Sequence, residues 1–190
     1  MSGKGTCKTV EPIRDEKDIE RIKRITYQSP RDHLLFIMGI NNGLRISDLL
    51  KLKVGDVRGL KPGGMLNITE GKTRKRNVLG INKAVHKALK RYLDEVQPAD
   101  EDYLFRSRKG GVLDKRSVHR LVNKWAADAG VKGHFGTHTL RKTFGYMHRT
   151  KCGTGFEVLA TRFNHSSPAV TMRYLGISSK EVDDILMQEI

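Results

Sequence analysis

Several residue types and patterns that mark specialised protein classes are scarce in this sequence. Only two of its 190 residues are cysteines, Cys7 and Cys152, which are too few for a disulfide framework or a cysteine metal cluster. The longest apolar run, residues 34–40, is far too short to span a bilayer. No apolar segment of the signal-peptide type follows Met1. We therefore expect neither a membrane-spanning nor a disulfide-stapled protein, and we predict free thiols in a reducing cytoplasm.

Acidic residues are also scarce relative to basic ones. The sequence has 36 Lys and Arg against 21 Asp and Glu, which gives a formal net charge of +15. Residues 175–190 alone carry −3, so the rest of the chain carries +18. A chain of this length predicts one domain, and such a charge predicts a polyanionic partner. Nucleic acid is the leading candidate, because each neutralised phosphate releases counterions.

The hydrophobic pattern predicts a mainly helical domain with one small antiparallel sheet, an α+β fold. Strands are expected at 65–69 and 77–81, where they form a hairpin around the basic segment 71–76. Val96 is expected on the buried face of its helix, and Thr154 with Glu157 has the pattern of a capping box. Helices are predicted near residues 15–27, 34–40, 45–52, 82–97, 117–129, 137–150, 154–163, 167–174 and 178–190.

Motifs for nucleotide or metal chemistry are missing. Gly71-Lys72-Thr73 lacks the upstream glycine of a phosphate-binding loop, and no paired carboxylates suit two magnesium ions. His134 and His138 have a ligand-like spacing, but no third ligand accompanies them. We predict no metal site and no cofactor. Phosphoryl transfer would then need arginines at the phosphate, a nucleophile and an acid for the leaving oxygen.

These residue types occur in a definite order along the chain. They are Gly-Leu-Arg-Ile-Ser-Asp at 43–48, Gly-Lys at 71–72, His-Thr-Leu-Arg at 138–141, Asn-His-Ser-Ser at 164–167 and Tyr174. In this order and spacing the set resembles the catalytic domain of the tyrosine recombinases, the phage-integrase family. The resemblance covers roughly residues 10–190. It implies the fold of that domain and a reaction that cuts and rejoins DNA strands through a covalent 3′-phosphotyrosyl intermediate, without metal or ATP.

The resemblance also implies which residues contact the scissile phosphate. Arg45 and Arg141 correspond to the two active-site arginines, which would clamp the phosphate and stabilise its transition-state charge. His165 corresponds to a hydrogen-bond donor to the same phosphate. Asp48 lies one helical turn from Arg45, so we expect it to support the catalytic residues by orienting the Arg45 guanidinium.

The remaining roles concern bond making and breaking. Tyr174 matches the family's nucleophile, and His138 matches the general base that would accept the tyrosine proton. Lys72 stands where the family places the lysine that protonates the departing 5′ oxygen, with Lys75 as its rival. Because a free tyrosine has a pKa near 10, neighbouring cations and a base must assist its ionisation.

Three further basic segments predict phosphate contacts, although each could equally be a solvated face. Their candidate DNA-binding residues are Arg74, Lys75, Arg76, Arg106, Arg108, Lys109, Lys115, Arg116 and Arg120. Contacts of this kind position a protein on a duplex without identifying a target sequence.

The expected organisation is an N-terminal arm at 1–14, a catalytic domain at 15–177 and a C-terminal helix at 178–190. About 30 residues precede the first buried helix, too few for the family's N-terminal core-binding domain, as in a short recombinase or a catalytic fragment. The resemblance implies a double-stranded DNA partner and a homotetramer on DNA. There the C-terminal helix docks on a neighbouring subunit, with packing on its own domain as the alternative. The chain is expected to be a monomer without DNA.

The expected setting is the bacterial cytoplasm, with the protein on the nucleoid and encoded by a bacterium or a phage. Two other functions stay open. A type-IB topoisomerase-like strand transferase would share the chemistry without exchanging partners at a specific site. A non-catalytic DNA-binding protein could keep the fold, but it has no need for all six catalytic candidates.

Overall fold

A computed structural model describes residues 9–177. Within that range the chain forms nine α-helices and one two-stranded antiparallel sheet. The elements are α1 (Glu16–Thr26), α2 (Pro30–Asn42), α3 (Ile46–Leu49), α4 (Val54–Val57), β1 (Met65–Thr69), β2 (Arg76–Gly80), α5 (Lys83–Val96), α6 (Lys115–Asp128), α7 (Thr139–Cys152), α8 (Phe156–Phe163) and α9 (Pro168–Leu175). The predicted α+β class is confirmed. The helix predicted at 178–190 lies outside the described residues.

Polar side chains that cap the first turn begin most of the long helices. Each accepts a hydrogen bond from a backbone N–H that has no partner within its helix. The capping residues of α1, α2, α5, α6 and α9 are Asp15, Ser29, Asn82, Asp114 and Ser167. Because Asp114 takes this role, α6 begins at Lys115, two residues ahead of the predicted start.

Two local predictions are wrong. The capping box at Thr154 and Glu157 does not form, because the residue that precedes α8 is Gly155, which has no side chain to cap it. Val96 is 46% exposed because it is the last residue of α5. The spacing of apolar residues thus predicts a helix more securely than it predicts what the helix ends contact.

Helix α2 lies at the centre of the main core. It packs against α1, α5 and α7, and its side chains Leu34, Leu35, Phe36 and Met38 have no exposed surface. Phe36 also meets Trp125 of α6 edge-on, with ring centres 6.1 Å apart. A helix that is apolar almost all round is stable only in such a setting. None of the described helices has the length and apolar character to cross a membrane.

A second, smaller apolar cluster joins α7, α8 and α9. Its buried members are Phe144, Leu159, Phe163 and Leu175. A Cβ on Gly145 would lie 2.7 Å from the Cζ atom of Phe163, so glycine is what allows α7 and α8 to approach this closely. Tyr174 packs against the edge of the cluster, which fixes the position of the proposed nucleophile.

The last residues of the predicted N-terminal arm pack on this body. Ile13 is 2% exposed, and its N–H donates to Thr143 Oγ1 at 2.9 Å. The N–H of Glu11 donates to the carbonyl of His134 at 2.8 Å. Residues 11–13 therefore belong to the packed domain, while residues 1–8 lie outside the described part of the chain.

Candidate active site

A cleft of about 670 Å³ opens where the turn between β1 and β2 meets the N-terminal ends of α3, α6 and α7. Its charged lining is strongly basic, and Asp114 is the only acid among the described residues that line it. The basic lining residues are Arg45, Lys51, Lys72, Lys115 and Arg141. A concave surface of this charge favours a phosphate-bearing ligand.

Arg45 is placed by a sharp turn at the end of α2. Gly43 ends that helix in the left-handed conformation, with φ of 58°, and a Cβ at this position would collide with the ring of Phe144. Only glycine satisfies both conditions. The chain then leaves the turn in an extended conformation at Arg45, the residue that precedes α3, and Arg45 lines the cleft.

Glu70, which follows β1, holds the Arg45 guanidinium. Its side chain has no exposed surface, and its carboxylate accepts hydrogen bonds from Arg45 Nη1 and Thr73 Oγ1, and from Asn77 Nδ2 at 2.7 Å. Burial acts to raise the pKa of Glu70, but the hydrogen bonds from Thr73, Asn77 and Arg45 outweigh it and lower that pKa to about 2. Glu70 is therefore a permanently charged partner for Arg45.

Arg141, on the first turn of α7, is held even more firmly. It is 2% exposed, and its Nη1 and Nη2 atoms donate to the carbonyls of Gly43 and Phe163, both at 2.7 Å. Desolvation lowers its pKa to about 10, so the guanidinium stays charged near neutral pH. These two hydrogen bonds fix the plane of the guanidinium group, and Arg141 still lines the cleft.

Tyr174 stands near the end of α9, with its hydroxyl oxygen 3.2 Å from His138 Nδ1. Burial raises the pKa of Tyr174 to about 12, although the positive charges of Arg141 and Arg45 act in the opposite direction. The hydroxyl therefore carries its proton at neutral pH. A base must remove that proton before the oxygen can attack a phosphorus atom.

His138, the residue that precedes α7, is the group placed to do so. Desolvation lowers the pKa of its imidazole, and the charges of Arg141 and Lys142 lower it further. The ring is therefore neutral near pH 7 and can accept a hydrogen bond from Tyr174 at Nδ1. The distance is within the range over which a base can accept a proton from a hydroxyl group.

His165 follows α8 through a turn at Asn164, which has the left-handed φ of 53° that asparagine tolerates. Its Nδ1 lies 2.9 Å from Thr171 Oγ1. Burial lowers the pKa of His165 to about 4, assisted by the charges of Arg141 and Arg45. In the tautomer in which Thr171 Oγ1 donates to Nδ1, the neutral ring carries its proton on Nε2, where it can donate to a phosphate oxygen.

Lys72 lies in the turn that joins the two strands. The strands pair up to Thr69 opposite Arg76, which leaves residues 70–75 to form the turn. Lys72 and Lys75 are both exposed, but only Lys72 of the two lines the cleft. The geometry thus supports Lys72 over Lys75 as the candidate acid.

The Asp48 carboxylate supports this turn, and it is the backbone N–H of Asp48 that bonds Arg45, donating to its carbonyl at 2.9 Å. Asp48 is 4% exposed, and its Oδ1 accepts the N–H of Gly71 at 2.9 Å, which fixes the backbone one residue before Lys72. The expected pairing therefore differs in the structure, because Glu70 and not Asp48 holds the Arg45 guanidinium.

The phage integrase family model matches residues 14–181, which is most of the chain. The chain belongs to the phage integrase family. The predicted membership of the tyrosine recombinases is thereby confirmed.

A named relative of this integrase-family domain is the probable integrase/recombinase YoeC of Bacillus subtilis. It is 39% identical over 172 residues, which are 88% of this chain and 90% of YoeC. A tyrosine recombinase of Pseudothermotoga lettingae is 28% identical over 89% of this chain. The match covers only 57% of that relative, so this chain spans about half the length of such larger members.

Solved structures show the same fold. The crystal structure of XerA recombinase superposes with a TM-score of 0.74 and 24% identity, covering 94% of this chain and 65% of that one. A post-cleavage complex of XerH recombinase with a palindromic difH substrate also has a TM-score of 0.74, with 21% identity, and covers 98% of this chain and 55% of that one.

Three of the nine candidate DNA-binding residues lie at or beside the cleft of this integrase-family domain. Lys115 lines it, and Arg116 and Arg120 line an adjoining concavity of about 690 Å³ at the start of α6. The exposed remainder are Arg74, Lys75, Arg76, Arg108 and Lys109. Arg106 is in a different situation, because its Nη1 donates to Asp102 at 2.8 Å.

Three important residues of the site were not predicted from the sequence. Glu70 is the partner of Arg45, and its one signal is that it is an acid directly before the basic segment 71–76. Arg162 donates to Asn77 Oδ1 at 2.7 Å. Lys142 is 3% exposed, and its Nζ lies 4.9 Å from the centre of the Tyr174 ring. Each depends on contacts between distant segments, which local spacing does not report.

Proposed function

We propose that this chain is the catalytic domain of a site-specific DNA recombinase that cuts and rejoins strands through a covalent 3′-phosphotyrosyl intermediate. The observation that carries the proposal is the 3.2 Å contact between the Tyr174 hydroxyl and His138 Nδ1 beside the basic cleft. Family membership and the similarity to YoeC, named as an integrase/recombinase, support it. The proposed substrate is double-stranded DNA, a polyanion that the net charge of +15 favours as a partner.

The cleavage step uses three of the candidate residues. Tyr174 Oη attacks the phosphorus atom while its proton passes to His138 Nδ1. The bond from phosphorus to the 5′ oxygen breaks, and the departing oxygen takes a proton from Lys72. The new phosphotyrosyl ester keeps the energy of the broken phosphodiester, so the 5′-hydroxyl of another strand can attack it and restore a DNA linkage without ATP.

Positive charge stabilises the phosphate as it becomes five-coordinate. Arg141 is fixed by the Gly43 and Phe163 carbonyls, and Arg45 is fixed by Glu70, so neither has to reorganise during the reaction. Preorganised donors of this kind supply a large share of the rate enhancement in many enzymes. His165 adds a neutral donor through Nε2.

The assembly that exchanges strands is proposed to be a homotetramer on two duplexes, in the bacterial cytoplasm. Residues 178–190, which include all four acidic residues of the 175–190 segment, would dock on the neighbouring subunit. Deletion of residues 180–190 is expected to impair strand exchange more than DNA binding, measured by recombination of two labelled duplexes and by gel shift. Equal loss of both would favour packing on its own domain.

The function can be tested once a binding sequence has been obtained by selection from a pool of random duplexes. A nicked duplex carrying that sequence releases, after cleavage, the short fragment that begins with the new 5′-hydroxyl, so the covalent complex accumulates. We expect a protein–DNA adduct that survives a denaturing gel. Relaxation of supercoiled plasmids lacking the selected sequence would instead favour the topoisomerase-like activity, and binding without any adduct would favour a non-catalytic protein.

The pH dependence of cleavage should report His138. Because its pKa lies below the ordinary 6.5, more than half of the imidazole is neutral at pH 6.5. At subsaturating DNA the cleavage rate should therefore fall in acid solution, with the midpoint of this fall below pH 6.5. His138→Gln should be about 100-fold slower and lack this acid limb. An unchanged limb in that variant would exclude His138 as the base.

The pH dependence of the protein's stability should reflect the protonation of His165. In the unfolded chain this ring titrates near 6.5, but in the folded protein it titrates near 4. Between these pH values the unfolded state takes up a proton that the folded state does not, so the stability present above pH 6.5 is lost as the pH falls to about 4. We expect the Tm of the parent to fall more than that of His165→Gln over this window, measured by thermal melts. Equal losses would contradict the assignment.

A further inference from the structure

The Glu70 carboxylate joins three pieces of the site. Arg45 comes from the turn after α2, Thr73 from the turn that carries Lys72, and Asn77 from strand β2. The backbone of Glu70 also closes the turn, since its N–H donates to the Lys75 carbonyl at 3.0 Å. One buried side chain therefore connects Arg45, a candidate phosphate-binding arginine, to the turn that holds Lys72.

The network continues from Asn77 to the other half of the site. Asn77 Oδ1 accepts from Arg162 Nη1 at 2.7 Å, and Arg162 Nε donates to the Asn42 carbonyl at 3.0 Å. Arg162 directly precedes Phe163, whose carbonyl holds Arg141. The hydrogen bonds thus run from Glu70 towards the end of α8, which carries the anchor of the second arginine.

We propose that Glu70 is a positioning residue that holds the Arg45 guanidinium and the turn bearing Lys72 in the relative positions that strand cleavage requires. This inference rests on the proposed function. Arg45, Thr73 and Asn77 all donate to the carboxylate, so the site requires an acceptor on both oxygens. Glutamine has nearly the same shape, but its NH₂ group would face one of these donors.

A carboxylate that only stabilised the fold would have a different signature. Its loss would reduce the folded fraction and would slow cleavage by the same factor whatever the leaving group. A positioning residue acts on two defined steps, because Arg45 stabilises charge on the phosphate and Lys72 protonates the leaving oxygen. Replacing the 5′ bridging oxygen of the DNA with sulfur separates the two, since a thiolate leaves without a proton.

The experiment compares Glu70→Gln with the parent on two nicked duplexes of the selected sequence, one with the natural oxygen and one with sulfur at the 5′ bridging position. Lys72→Ala should be slow on the oxygen substrate and restored on the sulfur substrate, whereas Arg45→Ala should be slow on both. For Glu70→Gln we expect about a 100-fold loss on oxygen that shrinks to about 10-fold on sulfur. Asp100→Asn, which breaks the exposed ion pair of Arg58 with Asp100, is the matched control and should cleave both like the parent.

The outcomes separate this inference from the proposed function. If the parent forms no adduct with either duplex, the proposed function fails. If the parent cleaves and Glu70→Gln cleaves both substrates at the parent rate, the positioning role is overturned. It is also overturned if Glu70→Gln is folded by circular dichroism but its cleavage rate falls by the same factor on both substrates. If Glu70→Gln does not fold, Thr73→Val removes only the hydroxyl that Glu70 holds in the turn. It should lose activity on oxygen and regain it on sulfur, and parent-like rates on both would overturn the role.

Discussion

Tyr174→Phe is expected to eliminate the covalent protein–DNA adduct while leaving DNA binding close to that of the parent. The substitution removes only the hydroxyl, and the phenylalanine ring can keep the packing of Tyr174 against the cluster of α7, α8 and α9. No other atom of the side chain can form the phosphotyrosyl bond. Gel shift on the selected duplex and a denaturing gel on its nicked form measure the two properties separately.

The matched control for this substitution is Tyr146→Phe. Tyr146 lies on α7 and is also partly buried, but its ring contacts the Arg14 guanidinium, whereas the Tyr174 hydroxyl contacts His138. This variant should form the adduct at the parent rate. An adduct formed by Tyr174→Phe, or its loss in Tyr146→Phe alone, would contradict the assignment of the nucleophile.

Arg141→Ala should have the second large effect, on both cleavage and folding. Loss of one preorganised donor to a transition state slows catalysis by about 100- to 1,000-fold. The substitution also leaves the carbonyls of Gly43 and Phe163 without their donors in a buried site, which should lower the free energy of unfolding by about 2–4 kcal/mol. Single-turnover cleavage and urea denaturation measure the two losses.

Arg141→Lys distinguishes the charge from the geometry of the fork. Lysine keeps a positive charge but cannot donate to two separated carbonyls and the phosphate in one plane. We therefore expect it to recover part of the stability and little of the cleavage rate. Full recovery of cleavage by lysine would show that positive charge alone is sufficient and that the fixed guanidinium plane of Arg141 is not needed.

The sequence predicted the parts of this site better than their connections. The positions of Arg45, Lys72, His138 and Arg141 come from short local motifs, and the structure brings all four to one cleft. Helices and strands were predicted for the same reason, since hydrophobic period and capping residues act within a few positions.

The connections depend on tertiary contacts. Glu70 holds an arginine 25 positions away, and in the sequence it is indistinguishable from a solvated acid at the end of a strand. Asp48 was expected on Arg45 because the two are one helical turn apart, yet it binds the backbone of Gly71 instead. Spacing shows which residues can share a face of one element, but not which segment folds against that face.

The central claim is that Tyr174 becomes covalently joined to DNA through the 3′ phosphate at the cleavage point. The most direct measurement is mass spectrometry of the trapped adduct after protease and nuclease digestion. We predict that the nucleotide mass is found on the peptide containing Tyr174 and that the released strand has a free 5′-hydroxyl. Attachment to Tyr27, Tyr92, Tyr103 or Tyr146, or a cleaved strand carrying a 5′ phosphate, would contradict the account.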